Sequence, residues 1–287
     1  MSAGTQDGLK GRRALVTGAG GALGGATLRV LRRAGVSALG LDLRAADGVL
    51  ACDVTDDDQV KRVVEEAVDQ LGGLDILVHF AGVGIPVDIG APPDQVVRRT
   101  LDVNLLGTWR VTAHALPALV RAKGRVVIVA SGLAYVTLPL SGAYTVSKRA
   151  LTAYADTLRA EYGTHVSVTT IYPGFVDTPI HEPSRDVGVS LDGTFPPEGV
   201  DDVVRTVMRA LTARRPPRDR ATTPLGRAGV TLARHLPALA DAGIKRQLTR
   251  QLRSGRFADA PLASGLRQRF LEGFLEGSPG APPRRQA

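Results

Sequence analysis

The sequence predicts an α/β fold: a doubly wound parallel sheet with helices on both faces, extended at the C-terminus by further helices. Over the first 175 residues, short β-branched runs alternate with stretches of helical period. Most of those runs are too continuously apolar to leave one face in water, which marks strands buried between two helix layers. A glycine-rich turn, TGAGGALG at residues 17–24, joins the first run to the first helix, as where a strand of a parallel sheet feeds its crossover.

In chain order the strands are expected at 13–17, 36–42, 49–52, 74–80, 124–130 and 166–172. Between them, Val60, Val63, Val64, Ala67, Val68 and Leu71 keep the spacing of one buried helical stripe. Thr55-Asp56-Asp57-Asp58 supplies that helix with a cap and with charge for its positive end. Gly35 is placed to end the first helix. After Tyr172 the rhythm breaks: 173–197 reads as a long loop with one short helix, and 179–197 as a lid over a substrate. A helix follows over 198–213, with Val200, Val203, Val204, Val207 and Leu211 on one side, until RRPPRDR stops it. The division predicted is a catalytic and dinucleotide-binding domain at 9–213, a helical extension at 214–275 interrupted by Pro237 and Pro261, and a disordered tail at 276–287.

Composition narrows the function. A chain of 287 residues, 44% hydrophobic, can bury one large core. Neither an apolar leader nor a run of about 18 apolar residues is visible, so a cytoplasmic protein is expected. The single cysteine, Cys52, excludes an internal disulfide and a cysteine zinc site, and reads as a small apolar residue at a strand end. The net charge of +8 resides in residues 201–287, which hold 17 Lys and Arg against 7 Asp and Glu. No aromatic residues interleave with these arginines, which argues against nucleic acid. A solvated surface is the simpler reading; a basic amphipathic face over 225–252 against lipid or an acidic partner is the alternative.

A strand, a glycine turn and a helix together form a phosphate site, because backbone N–H groups and the positive helix end face whatever occupies the turn. Asp42 closes the second strand 18 positions after Gly24. A carboxylate there accepts hydrogen bonds from an adenosine ribose and repels a 2′-phosphate, so NAD is expected in preference to NADP. Arg44 argues the other way. Asp53 is a candidate partner for the adenine amino group or, alternatively, a helix cap. Further on, Tyr144 and Lys148 lie at i and i+4 of one helix, and Ser131 sits at the end of the strand before it. An ammonium beside a phenol stabilises the phenolate, which is expected to bring Tyr144 into a useful range for proton exchange with an alcohol or carbonyl.

With these residues in hand, the chain resembles the short-chain dehydrogenase/reductase family, in its single-domain branch, from about Leu9 to Leu211. TGAGGALG resembles the family's TGxxxGxG; Asn104 in DVNLLG, Ser131, Tyr144 and Lys148 match its tetrad; PGFVDT at 173–178 matches its PGxxxT. The resemblance implies a Rossmann-type fold and an NAD(P)-dependent oxidoreductase interconverting a secondary alcohol and a ketone. It implies that Tyr144 exchanges the proton, Lys148 lowers the Tyr144 pKa and holds the nicotinamide ribose, Ser131 orients the reacting oxygen, and Asn104 keeps a water linked to Lys148. The implied dinucleotide contacts are Gly18, Gly20, Gly21, Ala22, Leu23, Gly24, Asp42, Asp53, Val54, Phe80, Ala81, Gly82, Tyr144, Lys148, Pro173, Gly174, Val176 and Thr178, with no metal. Helices at 102–122 and 144–162 are implied to pair in a homodimer or homotetramer, with Trp109 buried there or in the core.

Two departures stand out. The family's NNAG is here His79-Phe80-Ala81-Gly82, with His79 read as structural, and Ala22 stands where another glycine could be. Apolar residues of the lid region, Ile180, Val187, Val189, Leu191 and Phe195, suggest an apolar small-molecule substrate. Two other classes remain open: a lyase or isomerase of the same family without net hydride transfer, and a dinucleotide-binding regulatory protein.

Overall fold

In the computed structural model, which describes residues 7–189 and 196–272, seven parallel strands form one sheet in the order β3-β2-β1-β4-β5-β6-β9. They are β1 (Arg13–Thr17), β2 (Ser37–Asp42), β3 (Val49–Ala51), β4 (Ile76–His79), β5 (Arg125–Val129), β6 (Ser167–Tyr172) and β9 (Asp219–Ala221). The order reverses at β1 and β4, which pair in register Ala14↔Ile76 to Thr17↔His79. That reversal leaves a crevice beyond the C-terminal strand ends, where a ligand can enter.

Alternation along each strand divides the core in two. Leu15, Leu77, Val126 and Ile128 face α2 (Asp57–Leu71), α4 (Thr108–Ala122) and α5 (Gly142–Tyr162), burying Val64, Val111, Leu119 and Leu151. Ala14, Val16, Ile76, Val78 and Val127 face α1 (Ala22–Arg33) and α7 (Val200–Thr212), burying Leu28, Leu31, Val207 and Leu211. The stripe foreseen on α2 forms, with Val60, Val63, Val64 and Ala67 buried, Asp56 capping through Gln59 N, and left-handed Gly72 closing it. Before α4, α3 (Gln95–Leu101) passes through a wide π-helical turn, Asp102–Gly107, that turns Asn104 inward.

The strand at Asp219–Ala221 lies beyond residue 213, where the sequence ends the catalytic domain. It has three residues, two of them charged, and so carries no apolar run to announce it. Its place against β6 is fixed by side chains: Tyr172 Oη donates to Asp219 at 2.8 Å, and Thr169 Oγ1 donates to the Pro217 carbonyl at 2.7 Å. Pro237 and Pro261 stand where the helices of the extension break, as expected. They open elements, α9 (Pro237–Arg253) and a short 3-10 turn, because a ring without N–H is tolerated in a first turn. Between β6 and α7 lie a two-stranded pairing of β7 (Phe175–Val176) with β8 (Pro197–Glu198), a 3-10 turn at Pro179–His181 and α6 (Glu182–Asp186). Leu191, Phe195 and the tail at 276–287 lie outside the described residues.

At the opposite end of the sheet, Asp75 ties β1 to the entry of β4. It accepts from Arg13 N at 2.9 Å, Arg13 Nε at 2.7 Å and Arg12 at 3.2 Å. Burial works to raise its pKa, but the hydrogen bonds and charge of Arg13, with Arg12, outweigh it and hold the carboxyl below its ordinary value. A carboxyl with a depressed folded pKa stabilises the fold above its unfolded pKa and loses that contribution as pH falls through the folded value. Asp75→Asn is therefore expected to cost about 2 kcal/mol in urea unfolding at neutral pH. The difference from wild type should shrink as pH is lowered below about 4.

Candidate active site

The glycine turn is held open by contacts that leave no room for a Cβ. Gly18 has φ +67°, and a methyl there would lie 2.7 Å from Ala81 N; one on Gly24 would lie 2.1 Å from the Gly18 carbonyl. Thr17 Oγ1 accepts from the amides of Phe80 and Ala81, each at 3.2 Å, so β1 and β4 deliver their ends to one point. At the start of α1 the N-cap is Gly21, which offers no side chain, and no acidic residue stands in the first turn. By contrast, α2 and α3 have aspartate caps. First-turn amides have no intrahelical partner, so the start of α1 could hold a phosphate group. Ala22 is exposed in that first turn and Leu23 half-buried.

Asp42 stands directly beside this turn. Its Oδ2 accepts from Gly20 N at 2.9 Å and its Oδ1 from Leu43 N at 2.8 Å, which fixes the carboxylate at the end of β2. Arg44 is exposed. Asp53 takes neither helix-cap duty, which falls to Asp56, nor an open position: it accepts from Thr55 N and Thr55 Oγ1 and pairs with Arg99 at 3.5 Å. Burial opposes its ionisation, and the Thr55 bonds and Arg99 overcome that, so its pKa lies below the ordinary value. Val54 packs against Gly107, where a Cβ would come within 2.6 Å of it.

Ser131, Tyr144 and Lys148 converge at the end of β5. Ser131 hydrogen-bonds the Tyr144 phenol and accepts from Leu133 N at 3.1 Å. Lys148 is 4% exposed; its Nζ donates to the Val129 carbonyl at 3.1 Å and lies 5.6 Å from the Tyr144 ring centroid. The expected lowering of the Tyr144 pKa by Lys148 is not what this geometry produces. Burial pushes the phenol up to about 12, with only the Ser131 bond opposing, and burial pushes Lys148 down to about 8. Desolvation penalises the phenolate, while the ammonium sits over the ring, bonded to a carbonyl.

Asn104 is fully buried and its side chain is spent on protein groups. Oδ1 accepts from Val83 N at 2.8 Å, and Nδ2 donates to the Val83 carbonyl at 3.0 Å and to Ser147 Oγ at 2.9 Å. These bonds make it a brace between the Gly82-Val83 segment and α5; a Cβ on Gly82 would stand 3.2 Å from Asn104 Oδ1 and 3.5 Å from Lys148 Nζ. His79 is buried with Nε2 2.9 Å from Thr112 Oγ1. The Thr112 hydroxyl donates to the Thr108 carbonyl, so His79 must donate to it, which fixes the neutral Nε2–H tautomer. Burial first, and the Lys148 charge second, lower the His79 pKa to about 3, as a structural histidine requires.

The PG loop closes the site on the β6 side: the Pro173 carbonyl accepts from Gly132 N at 2.7 Å, and Thr178 Oγ1 donates to the Val176 carbonyl at 3.3 Å. Asp53 and Val54 follow β3, whose last residue Ala51 pairs in parallel with Asp42, at the same C-terminal edge of the sheet as the glycine turn. The model of the short chain dehydrogenase family matches residues 12–187. The chain belongs to that family. It is 35% identical over 206 residues to an uncharacterized NAD-dependent oxidoreductase of Mycobacterium tuberculosis, spanning 61% of this chain and 75% of the relative. A 2,5-dichloro-2,5-cyclohexadiene-1,4-diol dehydrogenase of Sphingobium indicum is 29% identical over 203 residues, spanning 64% and 80%. A solved short chain dehydrogenase from Burkholderia cenocepacia, in complex with NADP, superposes with TM-score 0.70 at 27% identity, over 84% of this chain and 99% of that one.

Several groups of this short chain dehydrogenase site escape a sequence reading. Ser147 links Asn104 to the Tyr144 carbonyl, to which it donates at 2.7 Å, yet in the sequence it is an unremarked residue before Lys148. Glu198 accepts from Thr222 Oγ1 and from Thr223 Oγ1, and a Cβ on Gly174 would meet its Oε1 at 2.5 Å. A cavity reaching Tyr144 is lined by Gly84, Ile85, Pro86, Leu133, Ser141, Ile180, His181 and Ser184.

Two outcomes test this geometry. Gly24→Ala is expected to weaken dinucleotide binding by about a hundredfold or more, whereas Ala22→Gly should change it by less than about tenfold, measured by titration calorimetry. A lysine whose folded pKa of about 8 lies below its ordinary 10.5 costs stability at neutral pH, and that cost disappears as pH rises between those values. Lys148→Met should therefore stabilise the protein by about 1 to 3 kcal/mol at pH 7, with the gain shrinking toward pH 10.5.

Proposed function

We propose that this chain is an NAD-preferring oxidoreductase that interconverts a secondary alcohol and a ketone on a small apolar molecule, with Tyr144 as general acid and base. The observation that carries the reading is the cavity whose walls include Ile85, Pro86, Leu133 and Ile180 and which ends at Tyr144. A carbonyl or hydroxyl seated against the phenol meets a buried O–H held by Ser131. In the reducing direction Tyr144 donates its proton to the carbonyl oxygen, and in the oxidising direction it accepts one from the hydroxyl. Ser131 orients the reacting oxygen beside it. Lys148 holds its Nζ 5.6 Å from the ring centroid, beside the group that exchanges the proton. The dinucleotide, when bound, supplies or takes up the hydride.

The preference for NAD rests on Asp42, whose two oxygens are anchored by Gly20 N and Leu43 N beside the turn. A 2′-phosphate at the ribose would meet that fixed carboxylate. The relative from Mycobacterium tuberculosis is described as NAD-dependent, and the Burkholderia structure holds NADP, so the discrimination is a property of this chain's own residues. A homodimer or homotetramer through α4 and α5 belongs to the same reading: Trp109 is 54% exposed and its ring lies 4.9 Å from that of Tyr154.

The test is a panel of cyclic and open-chain secondary alcohols and ketones, run with NADH or NADPH and their oxidised forms in parallel, with products identified by mass. Turnover with NAD is expected to exceed that with NADP by about tenfold or more in kcat/KM, and Asp42→Ala should reduce the ratio by at least about tenfold. Tyr144→Phe should abolish turnover while dinucleotide binding persists. Wild type that turns over none of the panel would overturn the assignment, and product formed without cofactor consumption would point to the lyase or isomerase class.

A further inference from the structure

The outer surface of the C-terminal extension has no role in the chemistry above. α8 (Pro224–His235) is fixed to the body from its inner side. Ala233 is buried, Arg234 reaches Asp219 at 3.5 Å and stands 5.7 Å from the Tyr135 ring centroid, and Thr223, its N-cap, is bonded to Glu198. α9 turns Leu248 and Leu252 inward onto Leu140 and Val189. What remains outside is apolar and basic. Leu225, Leu232, Leu236 and Leu239 are 68%, 44%, 51% and 62% exposed, four large hydrophobic side chains within fifteen residues. Leu225 and Leu232 lie seven residues apart on α8 and Leu239 in the first turn of α9, with Leu236 at the corner between the two helices.

Arg227, Lys245, Arg246, Arg250 and Arg253 are exposed, and among the described residues no ion pair involves them. Asp241 is the only acidic residue in 224–253. We propose that α8 and α9 dock this protein on an anionic lipid surface, the leucines entering the headgroup boundary and the basic residues meeting lipid phosphates. Exposed leucines joined to unpaired cations are the pattern of an interfacial helix. No helix of the described residues is long and apolar enough to cross a membrane, so this face lies along the surface. Nucleic acid has no use for a row of leucines, and a second copy of the same face brings like charges together, which disfavours self-pairing.

Full-length protein is sedimented with phosphatidylcholine vesicles and with vesicles that also contain phosphatidylglycerol, over a series of salt concentrations. It is expected to sediment only with the second kind and to be released as salt rises. Leu232→Glu with Leu239→Glu, and separately Lys245→Glu with Arg246→Glu, should each weaken partitioning by about tenfold or more. All four positions are exposed, and unchanged thermal melting of the variants confirms the fold. Failure to sediment with anionic vesicles overturns the proposal, and so does partitioning that the leucine pair leaves unchanged. Light scattering that shows the leucine pair dissolving an oligomer, with vesicle binding unaffected, would assign the face to self-association and also overturn it.

Discussion

The site depends on one buried cation. Lys148 is carried by α5 to the end of β5, where the Val129 carbonyl takes one of its protons and almost no water reaches it. An ammonium in such a place is costly, and its lowered pKa expresses that cost. The surrounding structure is arranged to keep it there. Ala130 N bonds the Ile171 carbonyl, locking β5 to β6 at the level of the acceptor, and Asn104 with Ser147 locks α5 to the Gly82-Val83 segment. His79 remains neutral, so no second cation is buried beside the first. The stability given up at Lys148 is the condition for a charged partner next to Tyr144.

The dinucleotide end works by the opposite means, through what is left out. Neither Gly18 nor Gly24 carries a Cβ where their backbones meet, no side chain caps α1, and no first-turn carboxylate competes for its positive end. Asp42 stands at the rim with its orientation set by two backbone amides, Gly20 N and Leu43 N, so its carboxylate is fixed beside the turn without occupying it. The two ends meet through Thr17, which clips β1 to the Phe80-Ala81 peptide, next in sequence to Lys148's neighbour Gly82. Replacing the family's NNAG with HFAG leaves this clip intact because it uses only backbone amides of that segment.

Much of this was legible in the sequence because the residues concerned act locally or in fixed register. Strands β1 to β6 announce themselves by short, mostly apolar or β-branched runs, and the helix α2 by its stripe and acidic start. Tyr144 and Lys148 share a helix face whatever the rest of the chain does. The seventh strand was not legible, since Asp-Arg-Ala has no strand signal and is held by Tyr172, Thr169 and Arg159 from distant parts of the chain. The inward turn of Asn104 and its partner Ser147 depends on a π-helical turn that no local pattern marks. The upward shift of the Tyr144 phenol is not legible for a related reason: spacing reports that a cation is near, whereas burial is a tertiary property.

The extension is better understood as part of the site's frame than as an appendage. Tyr135, four residues after Ser131, lies between two guanidiniums, with Arg149 of α5 at 4.3 Å and Arg234 of α8 at 5.7 Å from its ring centroid. It packs on Tyr172, whose hydroxyl holds Asp219 of β9. On the other side, Glu198 presses on Gly174 while gripping Thr222 and Thr223 at the start of α8. The loop after Ser131 and the PG loop after β6 are therefore each buttressed by residues beyond 213. A cation stacked on a buried-edge aromatic and a carboxylate bonded by two hydroxyls are both directional contacts. Directional contacts fix position, so residues 217–234 help hold the loop after Ser131 and the PG loop in place.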